Sequence, residues 1–228
     1  LLEGVFQLLV TPNFDDFVER ALTLFGRSCV VCDHPATAGR IDPGRDDVQV
    51  MHVHGTYWFY DGCNLKDEVR ARAAPSGAMR ETLDDILSHH VPIVLGYAGW
   101  QGDVIMEALR RRLGEPTRRP GQRRLGDIIY WFLHRTSSAT ALPSWLTGHP
   151  DVVFVAPPYQ ISADSRAADD LSPSLTSAGG RREPELTAVE VLEALMTRLR
   201  IPAPPLTRDP LAHFKDQLQA QLLPEATS

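Results

Sequence analysis

The sequence lacks long apolar runs and has few cysteines. Its longest apolar segments, Val91–Trp100 and Ile128–Leu133, are interrupted or short, whereas a transmembrane helix needs about 20 mainly apolar residues. The three cysteines, Cys29, Cys32 and Cys63, cannot all form disulfides within one chain. A reducing compartment fits this content best, so we expect a cytoplasmic protein without a membrane partner.

The chain also has no excess of basic residues, and its opening residues lack the features of a signal peptide. It opens at Leu1 without a basic segment or a small-residue cleavage site, so we expect a fragment or a trimmed protein. A net charge of -6 disfavours nucleic acid as a direct partner. Two basic clusters, Arg110–Arg112 and Arg118–Arg124, fit a helix C-terminus and a solvated loop respectively.

The chain does contain enough apolar material for one domain. With 228 residues, 43% of them apolar, it can bury one core and carry a small appendage. Residues 161–184 are rich in Ser, Ala, Asp and Gly, which is typical of a flexible linker. We therefore predict a domain over residues 1–160, a linker over 161–184 and a helical segment over 185–228.

Apolar patterning predicts strands that alternate with helices. Strands are expected at Phe6–Val10, Cys29–Cys32, Val48–Val53, Val91–Leu95, Ile128–Leu133 and Val152–Val155. Helices are expected at Asn13–Phe25, Met79–His89, Asp103–Leu113, Leu186–Leu199 and Pro210–Leu223. Tyr57–Tyr60 fits either a strand or a packed loop. The alternation indicates an α/β, Rossmann-like, mostly parallel sheet with helices on both faces, followed by a short helical C-terminal appendage.

Polar residues follow the first predicted strand, at Thr11, Asn13 and Asp15. Ligands of open parallel sheets bind beyond the carboxyl ends of the strands, beside helix N-termini. Asn13 and Asp15 are therefore candidates for a binding cleft. Ordinary helix capping explains the same residue types equally well.

A second group, His52, His54 and Gly55, closes the strand Val48–Val53. Alternation along an extended strand would place both imidazoles on one face. A histidine here can exchange protons near neutral pH, and glycine lets a ligand approach the backbone. A structural histidine is the competing interpretation.

A third group is the glycine turn, which we define as Gly96–Asp103. It follows a buried strand and leads into a helix, an arrangement that lets backbone N–H groups reach a ribose or a phosphate. Its spacing differs from that of the common dinucleotide fingerprint.

Together and in this order, the three groups resemble the sirtuin family. More narrowly, Thr11-Pro12-Asn13-Phe14-Asp15-Asp16 with His54-Gly55 and Gly96-Tyr97-Ala98-Gly99-Trp100 is similar to bacterial sirtuin-like domains that degrade NAD in antiphage defence. The resemblance covers roughly Phe6–Val155. It implies that NAD is the substrate, that its nicotinamide–ribose bond is cleaved, and that a second copy or a defence protein is a partner.

The resemblance also implies roles for individual residues. Asn13 and His54 would be catalytic, with Asp15 in support. Contacts to NAD would come from Thr11, Gly55, Gly96, Tyr97, Ala98, Gly99 and Trp100. His54 would act as general base, and Asn13 would orient water or a ribose hydroxyl.

The chain departs from the family pattern in three places. The family's Gly-Ala-Gly-x-Ser turn would fall before Leu1, Ala98 stands where the family often has Ser, and no four-cysteine zinc module follows His54-Gly55. We therefore expect no metal, and NAD hydrolysis is favoured over protein deacylation. A module that senses NAD or ADP-ribose without cleaving it, and an inactive truncated domain, are the alternative interpretations.

Overall fold

The computed structural model describes residues 1, 3–58, 77–114, 128–157 and 183–222. Its strands are β1 (Leu8–Thr11), β2 (Val30–Cys32), β3 (Gln49–His52), β4 (Ile93–Val94), β5 (Ile129–Phe132) and β6 (Val152–Val155). Its α-helices are α1 (Phe17–Leu24), α2 (Ala78–His89), α3 (Val104–Gly114), α4 (Ser144–Thr147), α5 (Ala188–Arg198), α6 (Pro205–Arg208) and α7 (Pro210–Leu222). Two 3-10 helices span Pro35–Arg40 and Thr136–Ala141.

The described strands form two parallel three-stranded sheets, in the orders β1-β3-β2 and β4-β5-β6. In the first sheet, Thr11 of β1 lies opposite His52 of β3. In the second, Val94 of β4 lies opposite Trp131 of β5. The predicted Rossmann-like α/β class is thus confirmed, including the helical C-terminal segment. The strands predicted as one sheet are hydrogen-bonded in two groups of three.

A single apolar core connects the two sheets. Met51 of β3 and Trp131 of β5 are almost completely buried in one cluster, together with Leu83 of α2 and Leu109 of α3. All four residues of β3 are buried, as a strand between two neighbours requires. The Arg111 guanidinium also binds the Asp84 carboxylate through two nitrogens, which links α3 to α2. Both sheets are therefore packed against a shared pair of helices.

The first helix begins later than its sequence pattern predicts. The apolar period indicates a start at Asn13, whereas α1 starts at Phe17. Residues before it form a loop instead, because the Asn13 carbonyl accepts a hydrogen bond from His52 Nδ1 and Asp15 Oδ1 accepts one from the Phe17 N–H. These bonds hold Asn13 and Asp15 beyond the strand end.

The C-terminal segment is attached to the loop that follows β5. The Leu186 N–H donates to the His134 carbonyl at 2.8 Å, Arg135 forms an ion pair with Glu185, and Glu183 accepts hydrogen bonds from Ser137. Most of the predicted linker, the cluster Arg118–Arg124, residues 59–60 and Cys63 lie outside the described residues. Over the described ranges, no helix combines the length and apolar character needed to cross a membrane.

Candidate active site

The loop after β1 carries the first group of predicted site residues. Thr11 ends the strand, and its Oγ1 accepts a hydrogen bond from the Asn13 N–H at 3.1 Å. Asn13 is exposed, and Asp15 is partly buried at the start of α1. The Thr11 carbonyl also accepts from the Val53 N–H at 3.0 Å, which places this loop directly beside the end of β3.

His54 lies in a tight turn just past β3. The Gly55 N–H donates to the His52 carbonyl at 3.0 Å, and Gly55 has φ of +82°, a backbone conformation that favours glycine. His54 is 5% exposed. Since β3 ends at His52, the strand alternation does not continue to His54, and the two histidines contact different elements.

His52 joins β3 to the loop and helix that follow β1. Its Nδ1 lies 3.0 Å from the Asn13 carbonyl, and its Nε2 lies 2.5 Å from Glu19 Oε1 of α1. A carbonyl can only accept, so Nδ1 donates there. Both ring nitrogens are occupied by these contacts, which gives His52 a structural role, as the competing interpretation of this group proposed.

His54 instead contacts Asp103, the residue that immediately precedes α3. The His54 Nε2 and Asp103 Oδ1 atoms are 2.9 Å apart, and the two side chains are 6% and 1% exposed. The Tyr97 hydroxyl donates a hydrogen bond to the other carboxylate oxygen, Oδ2. Burial, followed by the adjacent Asp103 charge, raises the pKa of Tyr97 above its usual range, so the phenol keeps its proton.

Three polar atoms in this cluster are buried without a hydrogen-bond partner in the described structure. They are His54 Nδ1, Thr56 Oγ1 and Asp103 Oδ1. Buried polar atoms of proteins are nearly always hydrogen-bonded, so such atoms need an explanation. In a turn at the carboxyl end of a parallel strand, a ligand with hydroxyl groups would supply the missing partners.

Three loops from three strands meet at His54. The Phe14 ring centroid lies 6.2 Å from that of His54, and the Phe14 carbonyl accepts from the Tyr57 N–H at 3.1 Å. The glycine turn contributes Asp103 through its contact with His54. The loops that carry Asn13, His54 and Asp103 are thus adjacent, while the approach of the Asn13 amide to the His54 ring stays a prediction.

The glycine turn divides into an exposed side and a buried side. Gly96, Ala98 and Trp100 are exposed, whereas Gly99 is buried and the Tyr97 ring packs 5.9 Å from that of Trp131. Apart from its chain neighbours, no atom of the described residues lies within 4 Å of the position that a Gly96 Cβ would take. The backbone at Gly96 is therefore open to a ligand, and Gly99 and Tyr97 serve the packing of the turn.

A family comparison matches this arrangement. The family model described as SIR2-like domain matches residues 7–148, which is more than half of the 228 residues. The chain belongs to the SIR2-like family. A search of curated proteins found no match.

The matched region of this SIR2-like domain contains all of the predicted site residues, Thr11 through Trp100. The SIR2-like family is NAD-related, so NAD is the ligand class relevant to this site. In the described part of the chain, no group of three or more His, Cys, Asp or Glu side chains could hold a metal ion.

Two residues of the cluster around His54 were not among the site residues predicted from the sequence. Asp103 stands inside the glycine turn, but an acidic residue at a helix start is explained by capping alone. Thr56 follows His54-Gly55 in a turn and has no distinctive spacing. The signal available for Asp103 was its place at the end of the turn Gly96–Asp103, in a segment already assigned to the site.

Proposed function

We propose that this SIR2-like domain is an NAD+ glycohydrolase that cleaves the nicotinamide–ribose bond. The observation that carries the proposal is the buried His54 imidazole, which has a carboxylate at Nε2 and a buried Nδ1 without a partner in the described structure. An imidazole of this kind is suited to accept a proton from a hydroxyl.

The roles of the neighbouring residues follow from their positions. Cleavage develops positive charge on the ribose, as in glycoside hydrolysis, and requires a positioned nucleophile. Asn13 is exposed beside the His54 turn and orients water or a ribose hydroxyl through its amide. Asp15 supports this loop by accepting the Phe17 N–H at the start of α1.

The exposed surface around His54 fits a nucleotide substrate. Thr11 ends β1, Gly55 is buried in the turn that follows β3, and the glycine turn contributes the exposed residues Gly96, Ala98 and Trp100. Backbone N–H groups and an aromatic ring are groups that bind ribose, phosphate and base. Tyr97 and Gly99 support this surface from the core side.

The test is nicotinamide release from NAD+ by the purified protein and by its Asn13→Ala and His54→Ala variants. General base catalysis contributes about 100-fold to 10,000-fold, so each variant should lose turnover on this order. His89→Ala is a matched control, because His89 is an exposed histidine at the end of α2. Full activity in both site variants, with unchanged folding by circular dichroism, would show that the assigned roles are wrong.

A second candidate function is a module that binds NAD or ADP-ribose and transmits the binding. It is supported by the attachment of residues 183–186 to the loop after β5, next to the strand that leads into the glycine turn. Calorimetry separates the two functions. A sensing module shows heat on mixing with NAD+ but no free nicotinamide, whereas a hydrolase shows both.

We extend the proposal to bacterial antiphage defence in the cytoplasm, with a second copy or a defence protein as partner. Protein deacylation is less favoured than NAD hydrolysis. Expression during phage infection tests the extension: cellular NAD+ should fall with the unaltered protein and stay constant with the His54→Ala variant.

A further inference from the structure

The cluster of His54, Asp103 and Tyr97 determines which nitrogen of the imidazole can react. We infer that Asp103 is a positioning residue that holds the proton of His54 on Nε2, so that Nδ1 is the atom that accepts a proton during the reaction. This inference rests on the proposed function and names the reacting atom of that site.

The Asp103 carboxylate lies between Tyr97 and His54. Its Oδ2 accepts the Tyr97 hydroxyl, and its Oδ1 lies 2.9 Å from His54 Nε2. This second contact misses the alignment of a hydrogen bond, because Oδ1 counts as a buried acceptor without a partner. The separation is nevertheless that of an ion pair, and a buried carboxylate oxygen needs a donor, which Nε2 is placed to supply.

These contacts determine the position of the ring proton. A carboxylate accepts and does not donate, so a favourable contact at Oδ1 requires a proton on Nε2. The Tyr97 phenol is held protonated by burial and by the Asp103 charge, as its raised pKa indicates, and it therefore occupies Oδ2 as a donor. In the neutral ring the Nδ1 atom then carries the free electron pair.

The Nδ1 atom itself is buried and forms no hydrogen bond to the described chain, with the Phe14 ring beside the imidazole. A buried acceptor of this kind requires an O–H donor, which water or a ribose hydroxyl supplies. Asp103 from the start of α3, and Tyr97 through it, are the titratable groups that the described structure places against His54.

The proposed reaction consumes one water molecule. Water gives its proton to Nδ1, its oxygen forms a bond to the ribose carbon, and the bond to nicotinamide breaks with its electron pair going to nicotinamide. The imidazolium that results is stabilised by the Asp103 carboxylate, and it releases the proton to solvent afterwards. No oxidant or reductant is needed.

The test is the tautomer of His54, measured by nitrogen-15 NMR of the protein without NAD+. The inference requires the Nε2–H form in the unaltered protein. The Nδ1–H form would overturn it. This measurement does not depend on any substitution or on catalysis.

Asp103→Asn provides the second arm. The Tyr97 hydroxyl would keep the amide oxygen as its acceptor, so the amide NH2 would face Nε2 and the ring proton would move to Nδ1. We expect the Nδ1–H tautomer and a fall in kcat of about 100-fold or more with KM little changed. An unchanged tautomer in this variant would also overturn the inference.

The inference and the proposed function fail in different ways. If the unaltered protein has the Nε2–H tautomer but releases no nicotinamide, the function is wrong and the positioning role of Asp103 stands. If it releases nicotinamide in a His54-dependent manner but has the Nδ1–H tautomer, the function stands and the assignment of the reacting atom is wrong.

Discussion

Gly99 occupies a sterically constrained position in the glycine turn. Its φ is +71°, and an added Cβ would overlap Leu142 Cδ2 and lie 3.2 Å from Trp131 Cζ2. Gly99→Ala should therefore destabilise the fold through both backbone strain and overpacking, by at least about 2 kcal/mol in urea unfolding.

Gly96→Ala is the matched control for Gly99→Ala. Gly96 has a similar φ of +65°, but, its chain neighbours aside, no described atom lies within 4 Å of its Cβ position. Gly96→Ala should therefore lower the unfolding free energy only through backbone strain, by roughly 1 kcal/mol. Equal losses of unfolding free energy in the two variants would mean that crowding by Leu142 and Trp131 does not constrain the turn.

At the same scale, the site residues differ in how far the sequence predicts them. His54 and Gly96 lie two residues beyond the ends of β3 and β4, as their places after predicted strands indicate, and their roles stay predictions. The Tyr97 hydroxyl binds Asp103, and its expected contact with NAD also stays a prediction. The His54–Asp103 contact joins residues far apart in the sequence, so no local pattern could reveal it.

Among the elements, the attachment of the C-terminal segment depends on two glutamates. Hydrogen bonds from Ser137 lower the pKa of Glu183, and a hydrogen bond and then the charge of Arg135 lower the pKa of Glu185, both from an ordinary value of 4.5. A carboxylate with a lowered pKa in the folded state stabilises that state above its unfolded pKa. The stabilisation is lost as the pH falls through the folded pKa.

We therefore expect acid to release residues 183–187 from the loop after β5. Hydrogen-exchange protection of the Leu186 amide should be lower at about pH 3 than at about pH 6, after correction for intrinsic exchange. In the Glu183→Gln, Glu185→Gln double variant, protection should be weak at both values and nearly independent of pH. If acid lowers the protection of the Leu186 amide equally in this variant, the pH dependence comes from groups other than Glu183 and Glu185.

The boundaries of the elements show where local patterns fail. The strands and the helices α2 and α3 follow apolar periods that packing satisfies, and their predicted positions agree with the structure to within a few residues. The start of α1 was wrong because the His52 ring binds the Asn13 carbonyl, a contact between distant parts of the sequence. Such tertiary bonds override a helical pattern.

For the whole molecule, the shared core implies a single unfolding transition. Cys32 of the first sheet and Trp131 of the second are 0% and 1% exposed in the same cluster. Burial also raises the pKa of the Cys32 thiol, so it should react with thiol reagents only after unfolding.

In a Cys29→Ser, Cys63→Ser background, Cys32 reactivity and tryptophan fluorescence should change at the same urea concentration. Two separate midpoints would instead show that the sheets unfold independently.

The α/β class itself was predictable at this scale, because alternating strands and helices leave few arrangements. The grouping of the strands into two sheets was not predictable, since it depends on which strands become neighbours in space.

The buried stretch Gln49–Thr56 has one further consequence, for engineering the chain. Each of its eight residues is buried, while most residues of the adjoining loop Asp42–Asp47 are exposed. An inserted residue between His52 and His54 would break the hydrogen bond from His52 to the Asn13 carbonyl, the contact between His54 and Asp103, or both. The exposed loop Asp42–Asp47 is thus the better place to insert an affinity handle or a fluorophore. The spacing of His52, His54 and Gly55 should not be changed.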